Sequence, residues 1–185
     1  MHIRKVKIVL FLYLLVAPMV TSAQIKAIRP FSRVRAIVVG VSDYQDPAIA
    51  DLAYADDDAT AFARLLREET AWRVAPDDMV LLTNEAATYE RFMAELNRVV
   101  ETAAPKERLV LYFAGHGDVE VVSERKTGFL LFHNATPTTY AIGGACEVNT
   151  LDEALNRLVL EKEAEVLLIT DACRSGELAG SLAGS

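Results

Sequence analysis

Downstream of residue 35 the chain alternates short, wholly apolar runs with longer stretches whose apolar residues recur every three or four positions. Ala36 to Val41 is apolar at successive positions and rich in β-branched residues, as expected of a strand buried on both faces. Asp56, Asp57 and Asp58 then open a segment with apolar residues at Ala59, Phe62, Ala63, Leu65 and Leu66. Acidic residues in a first turn suit the positive end of a helix dipole, and the pattern predicts a helix to about Glu69. Met79 to Leu82 reads as a second strand. Thr88 to Ala103 reads as a second helix, with Phe92, Leu96, Val99 and Val100 on one face and Pro105 beyond its end.

Leu109 to Phe113 is a third buried strand, followed by Ala114-Gly115-His116-Gly117 and a charged loop. Gly128 to His133 reads as a strand of a small side hairpin. Thr150 and Glu153 have capping-box spacing ahead of a third helix carrying Leu151, Ala154, Leu155, Leu158 and Val159. Val166 to Thr170 is a fourth core strand, leading into Asp171-Ala172-Cys173-Arg174-Ser175-Gly176. Strands alternating with helices predict an α/β fold with a mostly parallel sheet flanked by helices. No further strand pattern follows Cys173, so the sheet reads as incomplete on that side, as in a fragment of a longer precursor.

Residues 1–34 carry a different signal. Arg4, Lys5 and Lys7 precede an uncharged apolar run from Ile8 to Val20, and small residues stand at Thr21 and Ala23. This is a signal-peptide pattern, too short for a membrane span of about 20 residues. The expected organisation is a signal peptide over residues 1–23, a linker over 24–34 and one domain over 35–185, the protein being exported to the periplasm or medium. An uncleaved anchor is the alternative, and the only route to a membrane. The 185 residues are about one domain's worth. A net charge of −7, with no basic cluster past the N-terminus, argues against nucleic acid as a partner. Two cysteines, Cys146 and Cys173, are too few for a secreted disulfide framework.

In open parallel sheets, functional groups collect at the carboxyl ends of strands. His116 follows the third strand and Cys173 the fourth, so the two are expected at one rim as general base and nucleophile. Gly117 N–H and Cys173 N–H could together bind a developing oxyanion. Each residue also has a plainer reading: His116 as a core histidine at a tight turn, Cys173 as an inert thiol or a partner of Cys146. Cys146, in a glycine-rich loop, reads as a free structural residue, and His133 and Trp72 as structural. A nucleotide- or flavin-binding sheet would share the same rim, but neither G-x-G-x-x-G nor G-x-x-x-x-G-K-[ST] is present.

These motifs resemble those of the caspase and metacaspase family of cysteine peptidases, in its larger catalytic portion. Asp171-Ala-Cys-Arg-Ser-Gly176 is similar to the metacaspase form Asp-X-Cys-X-Ser-Gly, and Ala114-Gly-His-Gly117 to Ser-Gly-His-Gly. Val41-Ser-Asp-Tyr44 at the exit of the first strand and Leu52 to Ala59 ahead of the first helix also follow the family pattern, so the resemblance spans about Arg35 to Gly176. It implies a three-layer caspase-like fold, Cys173 as nucleophile, His116 as general acid and base, and a polypeptide substrate. It further implies that Asp58 and Asp171 line a pocket for a substrate Arg or Lys. Taken alone, Asp58 is equally a helix-dipole residue and Asp171 a strand-end cap, and Asp56 and Asp57 read as solvated. Ala114, Ala55 and Arg174 depart from the usual Ser, Cys and His. No cofactor is implied, although calcium activates many metacaspases. A catalytically inactive homologue acting as a binding module is the alternative function.

Overall fold

The computed structural model describes residues 31–69, 72–122, 125–137 and 139–172; the expected signal peptide, most of the linker and Cys173 itself lie outside them. The element order is β1 (Arg33–Gly40), α1 (Ala55–Glu68), β2 (Met79–Thr83), α2 (Tyr89–Thr102), β3 (Glu107–Gly115), β4 (Gly117–Val122), β5 (Arg125–Leu131), β6 (Ala145–Glu147), α3 (Val148–Lys162) and β7 (Glu165–Ala172), with single 3-10 turns between some of them. Four strands form a wholly parallel sheet in the order β2-β1-β3-β7. The central strands β1 and β3 are buried along nearly their whole length, as the uninterrupted apolar runs require.

Helix α1 covers one face through Ala55, Ala59, Ala63 and Leu66, against Ala36, Val38, Val110 and Tyr112. Helices α2 and α3 cover the other, with Phe92, Leu96, Leu151, Leu155 and Leu158 packed on Ile37, Val39, Leu111 and Phe113. The result is the expected three-layer arrangement. At the amino end of the sheet, the buried Arg35 pairs with Glu107 at 3.0 Å and donates to the Thr102 hydroxyl (2.6 Å) and carbonyl (3.0 Å), tying β1 and β3 to the end of α2. Trp72 sits at the same end, its ring 5.3 Å from the Arg108 guanidinium.

Three expectations are corrected in the second half of the chain. The segment after Gly117 is no loop: it forms β4, which pairs antiparallel with β5, and β5 with β6, in a separate three-stranded sheet. Cys146, expected in a loop, is in β6 and fully buried, and burial pushes its thiol up to about 12. Helix α3 begins two residues ahead of Thr150, and its N-cap, Glu147, makes no side-chain capping bond. Thr150 and Glu153 therefore fall inside the helix, because β6 feeds directly into it and the buried Val148 docks its first turn.

The carboxyl end of the sheet is organised by a close approach and a polar knot. A Cβ on Gly40 would lie 2.3 Å from the Ala55 carbonyl oxygen and 2.5 Å from the Ala59 Cβ, so only glycine lets the start of α1 rest on β1. Next to it, Asp56 Oδ1 accepts from the Ser42 hydroxyl (2.6 Å) and Oδ2 from Asn84 Nδ2 (2.9 Å). Asn84, in the left-handed region at φ 46°, accepts on its Oδ1 from the Ser42 and Asp43 N–H groups at 2.9 and 3.1 Å. Asp56 is thus half-buried and bonded rather than solvated as expected.

The Ser42 hydroxyl, followed by Asn84 and the helix-start N–H groups, holds the Asp56 carboxyl below its ordinary value of 3.8. A lowered folded-state pKa contributes stability that is complete above the unfolded value and is lost as pH falls through the folded one. Replacing Asp56 by Ala should cost about 1–2 kcal/mol near neutrality, the range for charged hydrogen bonds discounted for partial exposure. Thermal melts across pH 2 to 7 should show that the wild-type advantage over Asp56→Ala is constant above about pH 4 and shrinks below it.

Candidate active site

Strand β3 ends at Gly115, and the chain turns there into β4 through His116. The His116 ring is half-buried and fixed at two points. Its backbone N–H donates to the Tyr44 hydroxyl at 2.8 Å, with the two rings 5.1 Å apart. Its Nε2 lies 2.7 Å from the Ala50 carbonyl oxygen. A carbonyl only accepts, so Nε2 carries the hydrogen, and in the neutral ring Nδ1 keeps its lone pair. That assigns Nδ1 as the atom able to take a proton.

The same turn orients a donor. The His116 carbonyl accepts from Leu131 N–H at 2.9 Å, and no peptide bond in the described chain is cis. The N–H of a trans peptide points opposite its carbonyl, so the Gly117 N–H is directed away from β5. Among the described residues β4 is an edge strand of its sheet, so that N–H is not used by the ladder.

Both Tyr44 and Ala50 belong to the loop leaving β1, and that loop is closed on itself. Tyr44 N–H donates to Asp51 Oδ1 (3.1 Å), and Leu52 N–H to the Ser42 carbonyl (2.8 Å). Gln45 N–H donates to the His133 carbonyl (2.9 Å), while His133 Nδ1 lies 2.7 Å from the Asp43 carbonyl oxygen. His133 therefore has the structural role expected of it, as a clasp between the loop and the end of β5.

Strand β7 is paired with β3 from Arg108↔Glu165 to Gly115↔Ala172, every pair 57 residues apart. His116 and Cys173 are the next residues on the two chains and have the same separation. Asp171 is exposed, opposite Ala114, and shares the α1 face with Ile169 and Tyr112. On α1, Asp58 is exposed one turn ahead of Phe62, whose ring stacks on Tyr112 at 4.6 Å. Burial first, then the charges of Asp171 and Asp58, raise the Tyr112 phenol. Asp58 and Asp171 thus both lie on the α1 side of the sheet.

Of the expected site residues, the structure places His116, Gly117, Asp58 and Asp171 at one end of the sheet. Cys146 is a free, buried cysteine in β6, two strands from Gly117 in the row Gly117, Leu130, Cys146. Sequence reasoning missed Tyr44 and Ala50 as partners of His116. Tyr44 was visible only as part of a motif, and a backbone carbonyl leaves no signal in side-chain identity. Among the described residues, no group of three or more His, Cys, Asp or Glu side chains could hold a metal ion, and no helix is long and apolar enough to cross a membrane.

The parallel sheet and its flanking helices agree with what comparison with known proteins finds. No curated protein matches the chain. Among solved structures, the crystal structure of protein GSU0716 from Geobacter sulfurreducens superposes with a TM-score of 0.60 at 16% identity, covering 80% of this chain. This chain spans 55% of that protein's length, and the likeness is one of fold. A peptidase family model described as Caspase domain matches residues 33–184, from the start of β1 past Cys173. The chain belongs to the caspase-domain family.

Proposed function

We propose that the protein is a cysteine endopeptidase in which Cys173 is the nucleophile, His116 the general base and acid, and Arg or Lys the residue preceding the cleaved bond. The observation that carries this reading is the β3–β7 register, which runs up to the residues immediately before His116 and Cys173. Family membership supports hydrolysis of polypeptides by a cysteine peptidase.

In the proposed reaction the Cys173 thiol passes its proton to His116 Nδ1, and the thiolate sulfur attacks the scissile carbonyl carbon. The resulting oxyanion is held by the Gly117 N–H together with the Cys173 N–H. Collapse breaks the C–N bond, and His116 returns the proton to the leaving amine. Water, deprotonated by the same nitrogen, then attacks the thioester and releases the acid and the free thiol. The Ala50 carbonyl does the orienting that a third side chain performs in a triad, since it accepts from Nε2 throughout. Export with cleavage ahead of Gln24 belongs to the same proposal and is supported by the residue pattern of 1–23.

Cys173→Ala and His116→Ala should each remove nearly all turnover of a fluorogenic peptide, and the double variant should be little worse than either. More than about a tenth of the wild-type kcat/KM left in Cys173→Ala would overturn the mechanism, because loss of a nucleophile costs several kcal/mol of transition-state stabilisation.

Specificity follows from Asp58 and Asp171 at the rim of a chain of net charge −7. A charged hydrogen bond is worth about 1.5–3 kcal/mol, so Arg peptides should exceed Asp peptides in kcat/KM by about a hundredfold. Asp171→Asn should lower that value for the Arg peptide far more than it changes the rate of alkylation by iodoacetamide. Faster cleavage after Asp than after Arg contradicts the pocket assignment.

A further inference from the structure

The proposed chemistry uses the loop leaving β1 through the Ala50 carbonyl alone and gives its side chains no role. The loop runs from Ser42 to Leu52 and reaches the site through His116. The Tyr44 hydroxyl takes the His116 backbone N–H at 2.8 Å, and the Ala50 carbonyl takes the ring Nε2–H at 2.7 Å. One carboxylate links the two contacts. Asp51 Oδ1 accepts from the Tyr44 N–H at 3.1 Å, and Asp51 is the residue whose own peptide bond contains the Ala50 carbonyl.

The position of Asp51 therefore fixes both the phenol and the carbonyl. The body of the protein fixes the loop in turn, through the Asn84 and Asp56 knot at one end and the His133 clasp in the middle. The Tyr44 ring is 5% exposed and packs with the core cluster of the α2 face, so its hydroxyl is presented from a rigid base. A Cβ on Gly115 would stand 3.2 Å from that hydroxyl, so the backbone of the β3–β4 turn lies against it.

The His116 N–H and the Gly117 N–H are donors of successive peptide units in this turn. A clamp on the first sets the direction of the second, because each peptide is planar and the pair share only the φ and ψ of His116. We infer that Tyr44 and Asp51 are positioning residues for the peptidase reaction: Tyr44 holds the turn that presents both the His116 ring and the Gly117 N–H, and Asp51 locks Tyr44 and the Ala50 carbonyl in place. This inference rests on the proposed peptidase reading. It assigns the two residues no contact with substrate, and its expected signature is a loss of rate in the bound complex with little loss of binding.

The test uses the complete chain and an Arg fluorogenic peptide, with rates expressed per active site as titrated by an irreversible Arg-peptide ketone, so that unfolded molecules are not counted. Tyr44→Phe keeps the ring and removes the acceptor. It should lower kcat about 10- to 100-fold with KM within about twofold, while the second-order rate of Cys173 alkylation by iodoacetamide changes by less than about threefold. Asp51→Ala should move kcat in the same direction. Asp51→Asn, which keeps an oxygen acceptor for the Tyr44 N–H, should restore most of the loss. A purely structural role for Tyr44 would lower the number of titratable sites and leave kcat per site unchanged.

A kcat per site within twofold of wild type in both Tyr44→Phe and Asp51→Ala, with turnover abolished by Cys173→Ala, overturns this inference and leaves the peptidase reading intact. Turnover that survives Cys173→Ala with Tyr44 and Asp51 intact overturns the peptidase reading and the positioning role with it.

Discussion

The parallel pairing of β3 with β7 is the constraint on which the rest of this structure depends. Eight consecutive pairs keep one separation, from Arg108↔Glu165 to Gly115↔Ala172. A slip of one residue would turn every β7 side chain to the opposite face, putting Asp171 among the α2 and α3 side chains and Ala172 under α1. Register is enforced by burial: Leu109, Leu111 and Phe113 must face the larger core, and Val110 and Tyr112 must face α1. The side chains at the rim are therefore placed by hydrophobic contacts well below them, which is how a soft interaction such as apolar burial can set positions at hydrogen-bond range.

Packing on the two faces is unequal, and the difference serves the rim. The α1 face is built from small residues, and Gly40 lets the helix start sit directly on the end of β1. That proximity brings Asp56 within reach of Ser42 and Asn84, and it places Asp58 one turn from the Phe62–Tyr112 stack. The other face is filled by large side chains from α2 and α3, and by Phe132 at the end of the small antiparallel sheet. Rigidity there supports the turn between β3 and β4. The antiparallel sheet has its own tie, in which the Tyr140 hydroxyl donates to Asp118 Oδ2 at 2.6 Å and the Tyr140 backbone N–H donates to Glu120 Oε1 at 2.8 Å.

Much of this was legible because buried parallel strands and amphipathic helices leave long periodic traces. Four core strands and three helices follow from Ala36 to Val41, Phe92 to Val100 and their counterparts, with boundaries displaced by a few residues. Thr88, expected as the first residue of the second helix, is instead its N-cap, accepting from the Arg91 N–H. What escaped was short or main-chain in origin. β6 is three residues long and cannot show a period, and β4 carries charges on a strand with one open edge. Thr150 and Glu153 had the spacing of a capping box, yet the burial of Val148 started the helix earlier. Asp56 looked like its two acidic neighbours, and only the fold around Asn84 distinguishes it. In the candidate site, His116 and the carboxylates were readable as side chains, whereas the Ala50 carbonyl that orients the imidazole was not.

The central claim is that the β3–β7 register creates one reactive thiol, at Cys173, while burial in β6 keeps Cys146 inert. It is tested most directly by treating the native chain with a stoichiometric Arg-peptide ketone and locating the adduct by peptide mass spectrometry. The account predicts a single adduct on Cys173, slowed strongly by His116→Ala, with Cys146 unmodified until the protein is denatured. An adduct on Cys146 in the native chain, or labelling of Cys173 at an unchanged rate in His116→Ala, would contradict it.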